Sequence, residues 1–353
     1  APAEAGAGPA SAFAKPGEPW FLWLHFMDPH GRYEPPAEFR TFHGPSEVIS
    51  ADAPPGDGVR RKRFVAQFNV PDEARLADGL IDAGRVKDLY DGEVSYVDTA
   101  LKELFAALGP LENTLVVFTA DHGEAFGEHE VWFEHGQDAY EETTRVPLVV
   151  RFPASEHARP KGVRSDADLS LCDVAPTILE YLQVPPLGSA SNGAVRGRSR
   201  LDTWLGAAHN DAGSVFSERV DRSAGSQYKA VRRGDWKLVR RYAQTVRTGS
   251  KDKELTPALR GEELFDLASD PREQTDLSST PPAGAPLAQL RAELDRFTAL
   301  DARFGALAAK PKPARTHAEE EEHQRILDNL GYGGGDEPGA EPAHPPPAPE
   351  PRP

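Results

Sequence analysis

Cysteine is almost missing from this chain. The single Cys172 excludes any disulfide within it, so no covalent staple supports the fold and the redox compartment stays open. Long apolar runs are missing as well. None approaches the roughly 20 residues of a membrane-spanning helix. Positive charge is in deficit, with 40 Lys and Arg against 56 Asp and Glu and a formal net charge of −16. That balance argues against nonspecific binding to phosphate backbones, and no nucleic-acid partner is expected. Near Ala1 no basic segment precedes an apolar core, so no export signal is legible. The only Met is Met27, so the start of translation is expected upstream and targeting stays open.

What is present is enough for one large domain and a smaller one in 353 residues. Hydrophobic residues make up 39%, and the 31 Gly and 33 Pro imply long loops or tails. Residues 1–18 read as linker and 309–353 as a Pro- and Glu-rich tail, with an apolar island at Ile326–Tyr332 able to dock. Between them, 19–208 reads as an α/β layer and 209–308 as an α+β part. Trp20–Phe26 and Leu115–Phe118 have the apolar density of buried strands, the second of a parallel one. The Trp20–Trp23 stripe reads as core. From Val86 to Leu108, spacing of three and four among apolar residues from Leu89 on predicts an amphipathic helix stopped by Gly109-Pro110. Further strands are expected at 145–152, 215–218 and 263–267, and a hairpin at 228–239 turning near Gly234-Asp235. Helices are expected at 138–144, at 173–182 with Asp173 as a possible N-cap, and at 287–304.

The densest chemistry lies in Asp121-His122-Gly123-Glu124 and, about a dozen residues on, His135-Gly136. An Asp-His pair at the carboxyl end of a strand puts an oxygen and an imidazole where α/β sheets bind ligands. A second apolar run ends in His25-Phe26-Met27-Asp28-Pro29-His30. Taken singly, each motif has a plain alternative: a capping Asp beside a surface His, or a His in a Pro-rich turn. The basic run Arg60–Arg63 reads first as a solvated loop, although it could draw in an anion. Glu319–Glu322 reads as a solvated face, and His129 and Glu130 as a solvated loop.

Taken in order, the motifs resemble the sulfatase family of the alkaline-phosphatase-like superfamily. Asp28-Pro29-His30, Tyr90–Val94 with Asp98, Asp121–Glu124, His135-Gly136, Tyr140–Glu142, Arg145-Val146-Pro147, Asp173–Thr177, Trp236-Lys237-Leu238, Glu263–Leu267 and Asp270–Glu273 carry the likeness, over most of residues 19–277. The resemblance implies an alkaline-phosphatase-like α/β/α sandwich, incomplete at its N-terminus, with a small C-terminal antiparallel sheet plus helix. It implies metal-dependent hydrolysis of sulfate esters. Asp121 and His122 would be metal ligands, His30 the general acid and His135 an oxyanion contact. Glu124, His25 and Arg145 would support them, Arg145 chiefly as a strand anchor. One divalent metal is implied: calcium by family habit, manganese or zinc because an imidazole follows the Asp. The substrate would be an anionic small molecule or a glycan sulfate ester, and the location periplasmic or extracellular.

Two features that the family carries in an N-terminal segment are missing, a paired-Asp strand end and the nucleophile. A nucleophile in the pattern Cys/Ser-x-Pro/Ala-x-Arg, with Cys converted to formylglycine, is not present, because Cys172 is followed by Asp173-Val174-Ala175. The chain therefore reads as the C-terminal part of a sulfatase, inactive alone. A phosphodiesterase, phosphonate monoester hydrolase or phosphoethanolamine-type transferase of the same superfamily is the first alternative. A non-catalytic binding module is the second.

Overall fold

Three short sheets and one long helix form the N-terminal half of the described residues in the computed structural model. It describes residues 18–50, 64–154, 162–185, 197–207, 213–221, 226–246 and 255–308. The expectations for the linker, Arg60–Arg63, the Glu run and the tail with its apolar island fall outside those residues. In chain order come β1 (Val48–Ser50), β2 (Phe64–Val65), β3 (Leu80–Asp82), α1 (Ala83–Leu108), β4 (Val116–Thr119), β5 (Ala125–Phe126) and β6 (Val131–Glu134). Then follow α2 (Glu141–Thr144), β7 (Leu148–Arg151), α3 (Val174–Tyr181), α4 (Leu201–Trp204), β8 (Val215–Asp221), β9 (Ser226–Arg233), β10 (Trp236–Val246), β11 (Leu255–Asp266) and α5 (Leu287–Ala308). The three short sheets are β1-β3, β2-β6-β5 and β4-β7. By its contacts the chain divides into Ala1–Gly305 and Ala306–Pro353; of the second unit only the end of α5 is described. No helix among the described residues is long and apolar enough to cross a membrane.

Helix α1 starts three residues before the expected position. Asp82 caps it, its carboxylate accepting from the Arg85 amide at 3.1 Å. Gly109, with φ 74°, ends it as expected. Its first half packs Val86 and Leu89 into a core with Tyr33, Ile49, Ile81, Trp132 and Phe133. The second half is less covered, and Val94 and Phe105 are exposed. Gly92 lets the preceding strap lie close, since a Cβ there would sit 2.7 Å from the Phe39 carbonyl oxygen. Beside it, Glu93 accepts from the Glu34 amide at 2.7 Å.

Two expected strands differ in the structure. Trp20–Phe26 is irregular, and Phe21 and Trp23 are 84% and 78% exposed, so this stripe is not core. An extended segment becomes a strand only when another backbone takes its N–H and C=O groups, and no described strand does so here. β4 forms where expected but pairs with β7 antiparallel, and Phe118 and Val149 are exposed. The chain returns from the intervening loop at the same end it left, with Thr119 opposite Leu148 and Thr119 Oγ1 donating to the Pro147 carbonyl at 2.8 Å. Asp173 also departs from expectation. Its carboxylate does not cap α3 but accepts from the Ser170 and Arg198 amides and pairs with Arg200 at 3.2 Å.

The C-terminal sheet runs β11-β10-β9-β8, antiparallel throughout, and β9 turns into β10 at Gly234-Asp235 as the hairpin pattern predicts. Near the hairpin both faces are covered, by alternate residues. Val231, Leu238 and Leu264 face Leu287, Leu290 and Leu294 of α5. Ala230, Val239 and Phe265 face Ala139 and Tyr140. This mixed α/β chain thus ends in the antiparallel sheet plus helix that the resemblance implies.

Buried charge ties that sheet to the motif loop. Lys237 Nζ, 2% exposed, lies 2.9 Å from Glu141 Oε1 and 3.0 Å from Glu273 Oε1. Arg232 adds a second cation 2.7 Å from Glu141 and 3.1 Å from Asp168. Burial raises both glutamates. The two cations bring Glu141 back below the ordinary carboxylate range. Glu273, which has Lys237 but also the repulsion of Glu141, stays above it.

Replacing Lys237 by Ala would strand two buried carboxylates. The expected loss is about 3–5 kcal/mol of unfolding free energy in denaturant titration. A loss under ~1 kcal/mol would remove this cluster from the account. Glu93 gives a pH test. Burial raises its carboxyl, the Glu34 amide pulls it back, and the carboxylates of Asp28 and Glu34 push it on, from 4.5 to about 8. Between those values the folded chain keeps a proton that the unfolded chain has released, so Glu93 lowers stability as pH rises, by at most about 1.4 kcal/mol per pH unit. The Tm of Glu93→Gln should match the parent near pH 4.5 and exceed it increasingly towards pH 8. A difference that stays flat with pH would contradict this.

Candidate active site

Three imidazoles converge at the carboxyl end of β4. His30, His122 and His135 each offer a ring nitrogen within 4.8 Å of the others, and each is partly buried. The rings of His122 and His135 stack with centroids 3.6 Å apart, and His30 meets His135 edge-on at 5.1 Å. Each arrives on a different piece of chain. His30 closes a turn in which its amide donates to the Met27 carbonyl at 2.8 Å. His122 follows β4. His135 follows β6, and its amide donates to Glu134 Oε1 at 3.0 Å.

Glycine makes the His122 loop possible. The Gly123 amide donates to the Thr143 carbonyl at 2.9 Å, and a Cβ at Gly123 would lie 2.1 Å from the Glu142 carbonyl oxygen. The loop therefore lies directly on α2, which Glu141 fixes to Lys237 and Arg232.

Oxygen acceptors orient the rings. His30 Nδ1 lies 3.2 Å from the Gly31 carbonyl and His122 Nδ1 2.8 Å from the Gly123 carbonyl. A carbonyl only accepts, so in both rings Nδ1 carries the proton and Nε2 the lone pair. His135 Nδ1 faces Glu124 Oε1 at 3.5 Å, and Glu124 Oε2 accepts from the buried Tyr33 hydroxyl at 2.9 Å. Burial alone would lower the His135 pKa. The Glu124 carboxylate outweighs it, Glu134 and Asp121 add to it, and the net direction is up. Burial, then Glu124, push the Tyr33 hydroxyl up as well, so it stays a donor.

The remaining expected residues are less engaged. The Asp121 side chain is 57% exposed, and Oδ1 lies 3.8 Å from His122 Nε2. His25 Nε2 stands 3.9 Å from Asp121 Oδ2 at the rim, a contact of little energetic weight. Arg145 is exposed at the end of α2, where its charge acts on Glu141. Two groups at the site escaped the sequence reading. Tyr33 lies in a Pro-rich segment with no pattern of its own, and Glu134 belongs to a strand. His129, read as solvated, is instead buried: it pairs with Glu142 at 2.6 Å and stacks on Tyr140 at 3.8 Å.

An α/β scaffold that gathers imidazoles and a carboxylate where a strand ends belongs to the class that binds its ligands at strand termini. Within that class, this chain belongs to the sulfatase family. The Sulfatase family profile matches residues 8–184. An arylsulfatase of Clostridium perfringens is 27% identical over 74% of this chain and 50% of that protein. A choline-sulfatase of Rhizobium meliloti is 26% identical over 74% of this chain and 47% of that protein. The multifunctional alkaline phosphatase superfamily protein PehA of Trinickia caryophylli is 28% identical over 52% and 37%. The chain thus spans about half the length of the first two relatives. A solved 2-O GAG sulfatase structure aligns with a TM-score of 0.49 at 23% identity, over 61% of this chain and 43% of that one.

Glu124 can be tested directly. In Glu124→Gln the burial of His135 remains while the carboxylate is lost, so the His135 pKa should fall below the parent value in an NMR pH titration. In the parent, the stability that His135 contributes is present at acid pH and is lost as pH rises through its raised pKa. An unchanged His135 titration in the variant would show that Glu124 does not set it.

Proposed function

We propose that the protein to which this chain belongs hydrolyses sulfate esters, and that the imidazole cluster beside Asp121 is this chain's part in the reaction. The observation that carries the reading is the convergence of His30, His122 and His135 in a chain of the sulfatase family. The Asp121 carboxylate and the Nε2 lone pair of His122 are the donors that would hold a divalent cation. As a mixed oxygen and nitrogen set they fit one. Such a cation supplies Lewis-acid neutralisation of the ester's oxyanions.

The other residues handle protons and anions. His30 holds its Nδ1 proton against Gly31, so Nε2 is the atom that takes up a second proton and, from the imidazolium, can deliver it to the departing alcohol oxygen. His135, biased towards its cationic form by Glu124, suits contact with a non-bridging oxygen of an anionic ester. The nucleophile, formylglycine in this reading, belongs to a part of the longer protein outside this chain. The substrate is a sulfated small molecule or glycan, and the site of action is periplasmic or extracellular. A second reading, hydrolysis of phosphate or phosphonate esters, is favoured by the imidazole at His122 and by the match to PehA.

Two measurements on the full-length protein test this. His30→Ala should lower kcat for an aryl sulfate by roughly 10²–10⁴, and the loss should grow as the leaving alcohol becomes more basic. An undiminished kcat for poor leaving groups would exclude His30 as the acid. A strong preference for aryl phosphate diesters over aryl sulfates would replace the first reading with the second.

A further inference from the structure

We infer a second use for the same cluster: His30, His122 and His135 form a three-imidazole site for a borderline divalent cation such as zinc, and its occupancy removes His30 from proton transfer.

The donors that this chain supplies to the cluster are mostly nitrogens. Hard cations take six to eight oxygens, and among the described residues Asp121 is the carboxylate at the His122 ring, with its side chain 57% exposed. The nearby carboxylates are turned to other work. Glu124 accepts from Tyr33 and faces His135, and Glu134 accepts from the His135 amide. What converges is nitrogen, and imidazole suits zinc, nickel and copper.

Orientation supports the same assignment. Metal-bound histidines characteristically give their other ring nitrogen to a carbonyl or carboxylate. Here Gly31 O, Gly123 O and Glu124 Oε1 stand at Nδ1 of His30, His122 and His135. That fixes the tautomer of His30 and His122 with the lone pair on Nε2. Zinc–nitrogen bonds of about 2.0–2.1 Å in a tetrahedron put donors ~3.3 Å apart. One ring nitrogen of each lies within 4.8 Å of the others, so closing by up to about 1.5 Å, with the His122–His135 stack opening to turn both lone pairs to one ion, completes the set. Asp121, with Oδ1 3.8 Å from His122 Nε2, is the adjacent fourth donor.

Coordination would use the His30 lone pair that the proposed reaction needs for its proton. It would also use His122, which that reaction assigns to the catalytic cation. The two modes exclude each other. The inference does not rest on sulfate-ester hydrolysis, because binding is read on the chain itself.

The test is calorimetric titration of the metal-free 353-residue chain with zinc and, separately, with calcium. One zinc per chain is expected, bound at least tenfold more tightly than calcium and raising the thermal midpoint. His30→Gln, His122→Gln and His135→Gln should each weaken zinc at least tenfold. His43→Gln, at an exposed histidine outside the cluster, should leave it unchanged. The thermal midpoint of each metal-free variant checks folding, so any one folded cluster variant decides. No zinc uptake, calcium bound as tightly as zinc, or folded cluster variants that bind zinc like the parent would each overturn the site.

Discussion

The structure depends most on one buried cation, the Lys237 ammonium held between Glu141 and Glu273. Burying an ammonium with a single carboxylate is at best neutral, and removing one partner of such a set is strongly unfavourable. The arrangement therefore acts less as glue than as a register pin. It accepts one placement of the 140–142 loop on the sheet and penalises its neighbours. Around it the packing agrees. Tyr140 lies on the Ala230, Val239 and Phe265 face, and its hydroxyl donates to Glu263 at 2.5 Å. His129 stacks on the same ring and pairs with Glu142.

From that pin a short chain of contacts reaches the imidazoles. Glu141 opens α2, Thr143 in α2 accepts from Gly123, and Gly123 carries His122. The other imidazole of the stacked pair is held from a different core. His135 leans on Glu124, and Glu124 on Tyr33, a fully buried residue of the α1 cluster. The acidic excess of the chain has a local counterpart here. Carboxylates surround His135 and favour its charged form.

Much of this was legible in the sequence where local chemistry decides. The α1 periodicity, the Gly109 stop and the Gly234-Asp235 turn are properties of neighbouring residues, and they appear as expected. The residues of the site were legible as motif members, and the structure brings His30, His122 and His135 together. What was not legible is what depends on a distant partner. Trp20–Phe26 has strand composition, but its state depends on a neighbouring backbone. The β4 run announces a strand but not the direction of its partner. Tyr33 gives no periodic signal, and its role follows only from where Glu124 lies. Lys237 reads as a polar position in a hairpin until Glu141 and Glu273 are seen on either side of it.

The placement of these anchors also explains how an ordered cluster can sit beside an exposed strand. If β4 alone positioned His122, the half-exposed β4–β7 pair would be a weak foundation, because strand ladders with one uncovered face and few neighbours open easily. The supports lie elsewhere. His122 is tied through Gly123 to α2 and so to the buried C-terminal sheet, and His135 through Glu124 and Tyr33 to the α1 core. Only Asp121 and His25 depend directly on the exposed side, and they are the most solvent-accessible members of the group, with side chains 57% and 39% exposed. The cluster therefore divides into imidazoles anchored on buried elements and a more exposed carboxylate at the rim.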